Sequence, residues 1–262
     1  MHILLTNDDG LAAEGLQAAY GRLTRAGHRV TACAPDRERS AHSQSITLGR
    51  PISARPRTMP DGAVGYSISG TPADCAHLGY TTLATSPIDL VVSGINNDTN
   101  LGYDVNYSGT VGAAMEAAAA GYPALAVSVE KSESYDWPLA AEILCQAVEL
   151  YADWAIPSGV LVNLNIPNII SDSTWVWTSA NPYHGLDGYR QVSASADEVL
   201  EFLRIHNDNQ RPPVEGSDVS LSLQGRITLA PIVPMGFDQK TLERLKNFQQ
   251  VVGGRAVGQK SL

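Results

Sequence analysis

MHILLTNDDG, residues 1–10, is the stretch whose reading decides the fold. Ile3, Leu4 and Leu5 form a short apolar run that stops at Asn7-Asp8-Asp9-Gly10. An apolar segment closed at once by a polar turn is the pattern of a parallel strand buried on both faces. In open α/β sheets, ligands bind in the crevice beyond the carboxyl ends of such strands. Two neighbouring carboxylates placed there repel each other, and one pKa rises unless a cation is shared between them. Oxygen donors of this kind suit a hard divalent ion, Mg²⁺ or Mn²⁺. The plainer reading is a solvated turn, because Asn, Asp and Gly are all turn formers. The rest of the chain weighs between the two.

Outward from that turn, strands and helices alternate. Glu14 to Gly27 has helical spacing, with Leu16, Ala19, Tyr20 and Leu23 on one face. His28 to Ala34 reads as a second strand, which makes the first βαβ unit. Residues 51–70 suggest a hairpin at a sheet edge. Thr71-Pro72-Ala73-Asp74 is a helix start, with Thr71 as N-cap and Pro72 at the first position, and the helix runs through Cys75–Ala84. Further strands are expected over Ile88–Gly94, Ala124–Val129 and Val160–Ile166, with helices over Val111–Ala120 and residues 138–152. This order predicts a Rossmann-like, three-layer α/β domain with a mostly parallel sheet. It divides into a core, residues 1–167, and a C-terminal region, residues 168–262, within the same domain. The second region is polar up to about 215 and carries Trp175, Trp177, Tyr183 and Tyr189, which suit subunit contact or local packing about equally. One or two strands are expected over Asp218–Ile232 and a short helix over residues 238–250.

Three loops leave the same edge of such a sheet and can meet in one crevice. The first carries Asp8 and Asp9. The second is the long Ser-rich segment 35–50, with Ser40, Ser43 and Ser45. The third carries Asn96, Asn97 and Asn100 and leads into Tyr107-Ser108-Gly109-Thr110, a turn that exposes amides at a helix N-terminus, where an anion is favoured. Ser108 has an equal claim to being a plain N-cap. His42 is a candidate general acid, against the commoner role of a solvated loop histidine. Glu116 is read as a structural partner. No Walker A pattern and no GxSxG elbow occurs, and Asn7 breaks the Asp-x-Asp expected of a haloacid-dehalogenase-like phosphatase.

The chain has 262 residues, a formal net charge of −9 and 44% hydrophobic residues. That acidity argues against a nucleic-acid polymer as partner. No apolar run approaches the roughly 20 residues of a spanning helix, so no membrane is expected. Without a basic segment followed by an apolar one at the start, the expected location is the cytoplasm. Cys33, Cys75 and Cys145 are widely spaced with no CxxC, so neither a disulfide framework nor a zinc site is expected. Cys33 and Cys145 read as small core residues. His2, His28, His77, His184 and His206 show no ligand spacing.

Taken together, LLTNDDG (4–10), APDRERSAHSQSIT (34–47), GTPADC (70–75), VSGIN (92–96), YSGTVGAAMEA (107–117) and LVNLNIP (161–167) resemble the SurE family of survival-protein nucleotidases. The resemblance implies the Rossmann-like core with a C-terminal arm or hairpin used in oligomerisation, giving a homodimer or homotetramer. It implies a divalent-metal 5′-nucleotidase acting on nucleoside 5′-monophosphates, and possible action on 3′-monophosphates and short polyphosphate. Asp8, Asp9, Ser40 and Asn96 would be the metal ligands, with Asp8 and Asp9 also catalytic. Asn100, Ser108, Gly109 and Thr110 would hold the phosphate. Asn97-Asp98-Thr99 stands where the family usually has a basic residue, then Gly and Pro, and this exchange weakens anion binding. It motivates an alternative: a metal- and nucleotide-binding regulatory member with impaired turnover.

Overall fold

Ile3 and Leu5 join one buried cluster and Leu4 the other, so β1 (His2–Thr6) is covered on both faces. The alternation follows from the two-residue period of a strand. The computed structural model describes residues 1–132, 135–182, 188–194, 200–205 and 212–234. On one side β1 pairs in parallel with β2 (Arg29–Pro35), followed by the antiparallel hairpin β3 (Ala54–Thr58) and β4 (Val64–Ile68) at the edge. On the other side lie β5 (Leu90–Asn96), β6 (Ala124–Val129) and β7 (Leu161–Ile166), all parallel. β1 is therefore where the chain reverses its direction of travel across the sheet, and the switch point falls at Asp8 and Asp9.

Helix α1 (Glu14–Arg25) packs on α4 (Trp137–Leu150) over one face. On the other face α2 (Pro72–Leu78) packs on α3 (Gly109–Ala119). The mostly parallel α/β sheet predicted from the sequence is the fold observed. The helix after Thr71 is shorter than expected: α2 ends at Leu78 and passes into a π-helical turn, Gly79–Leu83.

Beyond residue 167 the described residues add four further strands, although the composition there is polar. β8 (Asp172–Trp177) and β11 (Arg226–Ile232) continue the main sheet, with β11 antiparallel to β7 and β8 outermost. β9 (Gly188–Ala194) and β10 (Leu200–Ile205) form a separate antiparallel pair. Asp218–Ile232 contains a helical turn, α5 (Asp218–Ser222), before the single strand β11, because the Ser217 side chain caps the Ser220 amide. Trp175 and Trp177 pack against Trp154 at 6.4 and 5.2 Å between ring centroids, whereas Tyr189 is exposed. Tyr183 and the helix expected over 238–250 lie outside the described residues. Among the described residues, no helix is long and apolar enough to cross a membrane.

Thr71 anchors the long Ser-rich loop as well as α2. Its hydroxyl accepts from the Asp74 amide and donates to the Ser45 carbonyl at 2.6 Å, and Asp74 completes a capping box. Thr71→Ala should lower the unfolding free energy by about 1–2 kcal/mol in a urea titration, the usual cost of a lost cap.

Candidate active site

The three loops do converge. Asp8, Asp9, Ser40, Asn96, Asn97, Asn100 and Ser108 line one open cavity of about 570 Å³ at the carboxyl edge of the sheet. Gly94 makes part of this possible. It has φ +136°, and a Cβ there would lie 2.3 Å from the Val127 carbonyl oxygen, so only glycine allows β5 this close to β6. Asn96, two residues on, then pairs with Ser128.

Asp8 is buried, and its carboxylate accepts from the Thr110 hydroxyl while the Thr110 backbone amide also faces it. Its own carbonyl accepts from the Arg39 amide at 2.7 Å. Burial nevertheless raises the Asp8 pKa, outweighing these hydrogen bonds. Asp9 is pushed up to about 6, first by burial, then by the negative charges of Asp8 and Glu38, against one backbone hydrogen bond from Asn97. Among the described residues no ion pair neutralises either carboxylate. A buried acid, Asp8, and a half-buried one, Asp9, therefore stand side by side with no ion-paired basic partner among the described residues.

The remaining oxygens are arranged differently. The Asn96 side-chain amide nitrogen donates to the Asp98 carbonyl at 2.6 Å, which leaves its Oδ1 as the atom free to act as a donor toward a cation. Ser40 Oγ donates to Glu38 at 2.6 Å and is exposed. Ser108 caps α3 through the Val111 amide, as one of its two expected roles requires. Gly109 leaves no room for a side chain: a Cβ would meet the Asp8 side chain at 2.8 Å. Thr110 is buried against Asp8. Asn100 is buried and clamped by β7: its amide donates to Asn165 Oδ1 at 2.9 Å, and its carbonyl accepts from the Asn163 and Asn165 side chains.

Other loop residues serve the scaffold. Ser43 Oγ donates to the Asn106 carbonyl, and the Ser45 carbonyl accepts from Thr71. His42 is exposed, with Nδ1 3.0 Å from the Ser40 carbonyl, and is not among the residues lining the cavity. Glu116 is a structural partner, bonded to Gln44 and His77.

Several contributors escaped the sequence reading. Lys131 and Arg204 line the cavity alongside Asp8, Asp9, Glu38, Asp98 and Asp104. The Arg204 guanidinium, carried in by β10, lies 5.5 Å from the centre of the Tyr107 ring. Asp218, from α5, is buried and accepts from the amides of Gly102 and Asn181 at 2.7 and 2.8 Å. Asn163 and Asn165 had a signal, two amides two residues apart on one face of an otherwise apolar strand. Lys131 had another, its place just past the carboxyl end of β6. Arg204 and Asp218 had none.

A family model described as Survival protein SurE matches residues 3–184. A 5′-nucleotidase SurE from Desulfatibacillum aliphaticivorans is 40% identical over 223 residues, which is 84% of this chain and 83% of that protein. One from Kosmotoga olearia is 34% identical over 258 residues, 97% of this chain and 100% of that protein. The crystal structure of the SurE protein from Aquifex aeolicus matches with a TM-score of 0.78 at 29% identity, covering 95% of this chain and 100% of that one.

The raised pKa of Asp9 has a thermodynamic consequence in metal-free protein. A carboxyl group that holds its proton more tightly folded than unfolded stabilises the fold at low pH, and that contribution is lost as pH rises from about 4 to about 6. Asp9→Asn removes this cost. In denaturant titrations with EDTA, the stability gained by Asp9→Asn over wild type should grow from pH 4 to pH 6.5; a gain independent of pH would contradict the assignment.

Proposed function

Because this chain belongs to the survival protein SurE family, we propose that it is a divalent-cation-dependent phosphomonoesterase of the cytoplasm that releases phosphate from nucleoside 5′-monophosphates. Nucleoside 3′-monophosphates and short polyphosphate are further candidate substrates. The observation that carries the reading is the Asp8–Asp9 pair, one buried and one half-buried, both with raised pKa values and no ion-paired basic partner among the described residues. With Ser40 and the Asn96 amide oxygen, the donors are all oxygen, which fits Mg²⁺ or Mn²⁺ rather than a thiophilic ion. When bound, such an ion supplies Lewis acidity toward a phosphoryl oxygen and makes water more acidic.

The chain's own groups do the rest. Thr110 fixes the Asp8 carboxylate. The Asp9 carboxylate, in the same cavity, is placed to accept a proton from the attacking water. Ser108 Oγ accepts from Val111 and keeps its own proton to donate to a phosphate oxygen. Asn100 retains an amide N–H beyond its bond to Ser128, and Gly109 opens the α3 N-terminus to the anion. Lys131 and Arg204 offset the carboxylates around them, so a cation is supplied at the mouth of the cavity although Asn97-Asp98-Thr99 carries none. The exposed apolar side chains of the β9–β10 pair, Tyr189, Val192, Leu200, Phe202 and Leu203, support its use as an arm in a homodimer or homotetramer.

Phosphate release from AMP and GMP should appear with Mg²⁺ or Mn²⁺ and vanish with EDTA. Asp8→Asn should lower turnover more than ~100-fold, beyond the usual cost of losing a group that only supports a metal ligand. It should also raise the melting temperature of metal-free protein, because one like charge is removed. Metal and nucleotide binding without phosphate release in wild type would favour the regulatory, non-catalytic reading. Arg204→Ala should raise KM for AMP by roughly 10-fold with kcat little changed, the signature of lost uniform binding. A fall in kcat at constant KM would instead place Arg204 in the chemical step.

A further inference from the structure

At the opposite edge of the sheet, three side chains from distant parts of the sequence meet. His28 sits in the turn before β2, and Cys145 and Glu149 are one helical turn apart on α4. One ligand atom from each lies within 4.8 Å of the other two, the one such group of His, Cys and acidic side chains among the described residues. Cys145 is buried and its Sγ lies 3.6 Å from the Glu149 carboxylate. His28 Nδ1 faces the Met1 amino nitrogen at 3.5 Å, while Nε2 is shielded from solvent and has no hydrogen-bond partner. A buried imidazole nitrogen without a partner is costly and calls for an explanation.

We propose that His28, Cys145 and Glu149 form a second cation site, specific for a borderline-soft ion such as Zn²⁺ and separate from the oxygen-lined cavity. Sulfur, nitrogen and a single carboxylate favour zinc over magnesium or manganese. Zinc bond lengths of about 2.0–2.3 Å in a tetrahedron put ligand atoms roughly 3.3–3.8 Å apart. Closing the group from 4.8 Å therefore takes about an ångström, and Glu149, exposed on the last turn of α4, has the freedom to supply it. Burial and neighbouring positive charge hold His28 neutral, the form a metal needs. The Cys145 thiol is protonated, pushed up to about 11 mainly by burial; on binding, its S–H bond breaks, an S–Zn bond forms and the proton leaves to solvent. Two positive charges act on the group: the Met1 amino group, 3.5 Å from His28 Nδ1, and Arg22 on α1, which is already paired with Glu142 through Nε at 2.6 Å. Three protein ligands leave a fourth position for water. The ion would pin the end of α4 to the α1–β2 turn without touching the catalytic edge.

Cobalt(II) titration of the full-length protein, freed of metal and kept reduced, tests this. A thiolate-to-cobalt charge-transfer band in the near ultraviolet should saturate at one equivalent. It should vanish in Cys145→Ser, and affinity should fall at least ~10-fold in His28→Gln and Glu149→Gln. Zn²⁺ should raise the melting temperature of wild type but not of Glu149→Gln, and the Mg²⁺-dependent activity of these variants should be unchanged. No band in wild type would overturn the proposal. So would a band that survives Cys145→Ser, or one unaffected by both His28→Gln and Glu149→Gln, since the thiol responsible would then lie elsewhere or act alone. Glu149→Gln changes an exposed residue, so the test stands even if Cys145→Ser folds poorly.

Discussion

The edge that carries the candidate site depends on one unfavourable act, the withdrawal from water of two adjacent carboxylates, Asp8 fully and Asp9 in part, at the end of the strand where the sheet changes direction. Thr110 offers Asp8 a hydroxyl and an amide, and the Asn97 backbone reaches Asp9. Gly109 gives up a side chain so that α3 can approach. These contacts reduce the cost without cancelling it, since desolvation is the leading cause of the shift in both acids. Neutral donors stabilise a buried charge by a few kcal/mol at most, less than the penalty of removing it from water. The fold thus retains an electrostatic deficit at one spot, a common condition of sites that bind a ligand of opposite charge.

How far this was legible in the sequence varies with range. Strand ends could be read because β1, β5, β6 and β7 are mainly apolar and each gives way to a polar turn. Once those ends lie on one edge, the gathering of Asp8, Ser40, Asn96 and Ser108 follows from topology. What could not be read were partnerships between residues far apart in sequence. Thr110 looks like any first-turn threonine until Asp8 is seen against it, 102 residues away. Asp218 looks like part of a strand because its neighbours are apolar and alternate, yet the Ser217 cap turns the backbone into a helix first. Cys145 reads as a core residue from its spacing in α4, and so it is. Its nearness to His28 comes from the packing of α4 on α1, which no local period encodes.

The two polar clusters also differ in donor chemistry, which would keep the two proposed ions apart. One edge of the sheet presents carboxylate, hydroxyl and amide oxygens; the other presents thiol, imidazole and one carboxylate. Selectivity between hard and soft ions rests on such differences more than on raw affinity. A parallel sheet suits this separation, because its two edges are built from different loops and share only the apolar strands between them.

The place of β11 has a bearing on how the protein is made. It inserts between β7 and β8, and Asp218 just before it ties down the Gly102 amide in the loop that carries the site. A chain emerging from the ribosome has completed the parallel run from β1 to β7 by residue 166, yet β7 remains an open edge until residues 226–232 arrive. During that interval the free edge of a mostly apolar strand is presented to its surroundings, the situation in which nascent chains aggregate or recruit a chaperone. The loop after β5 is therefore tied down only by residues translated long after the acids that share its cavity.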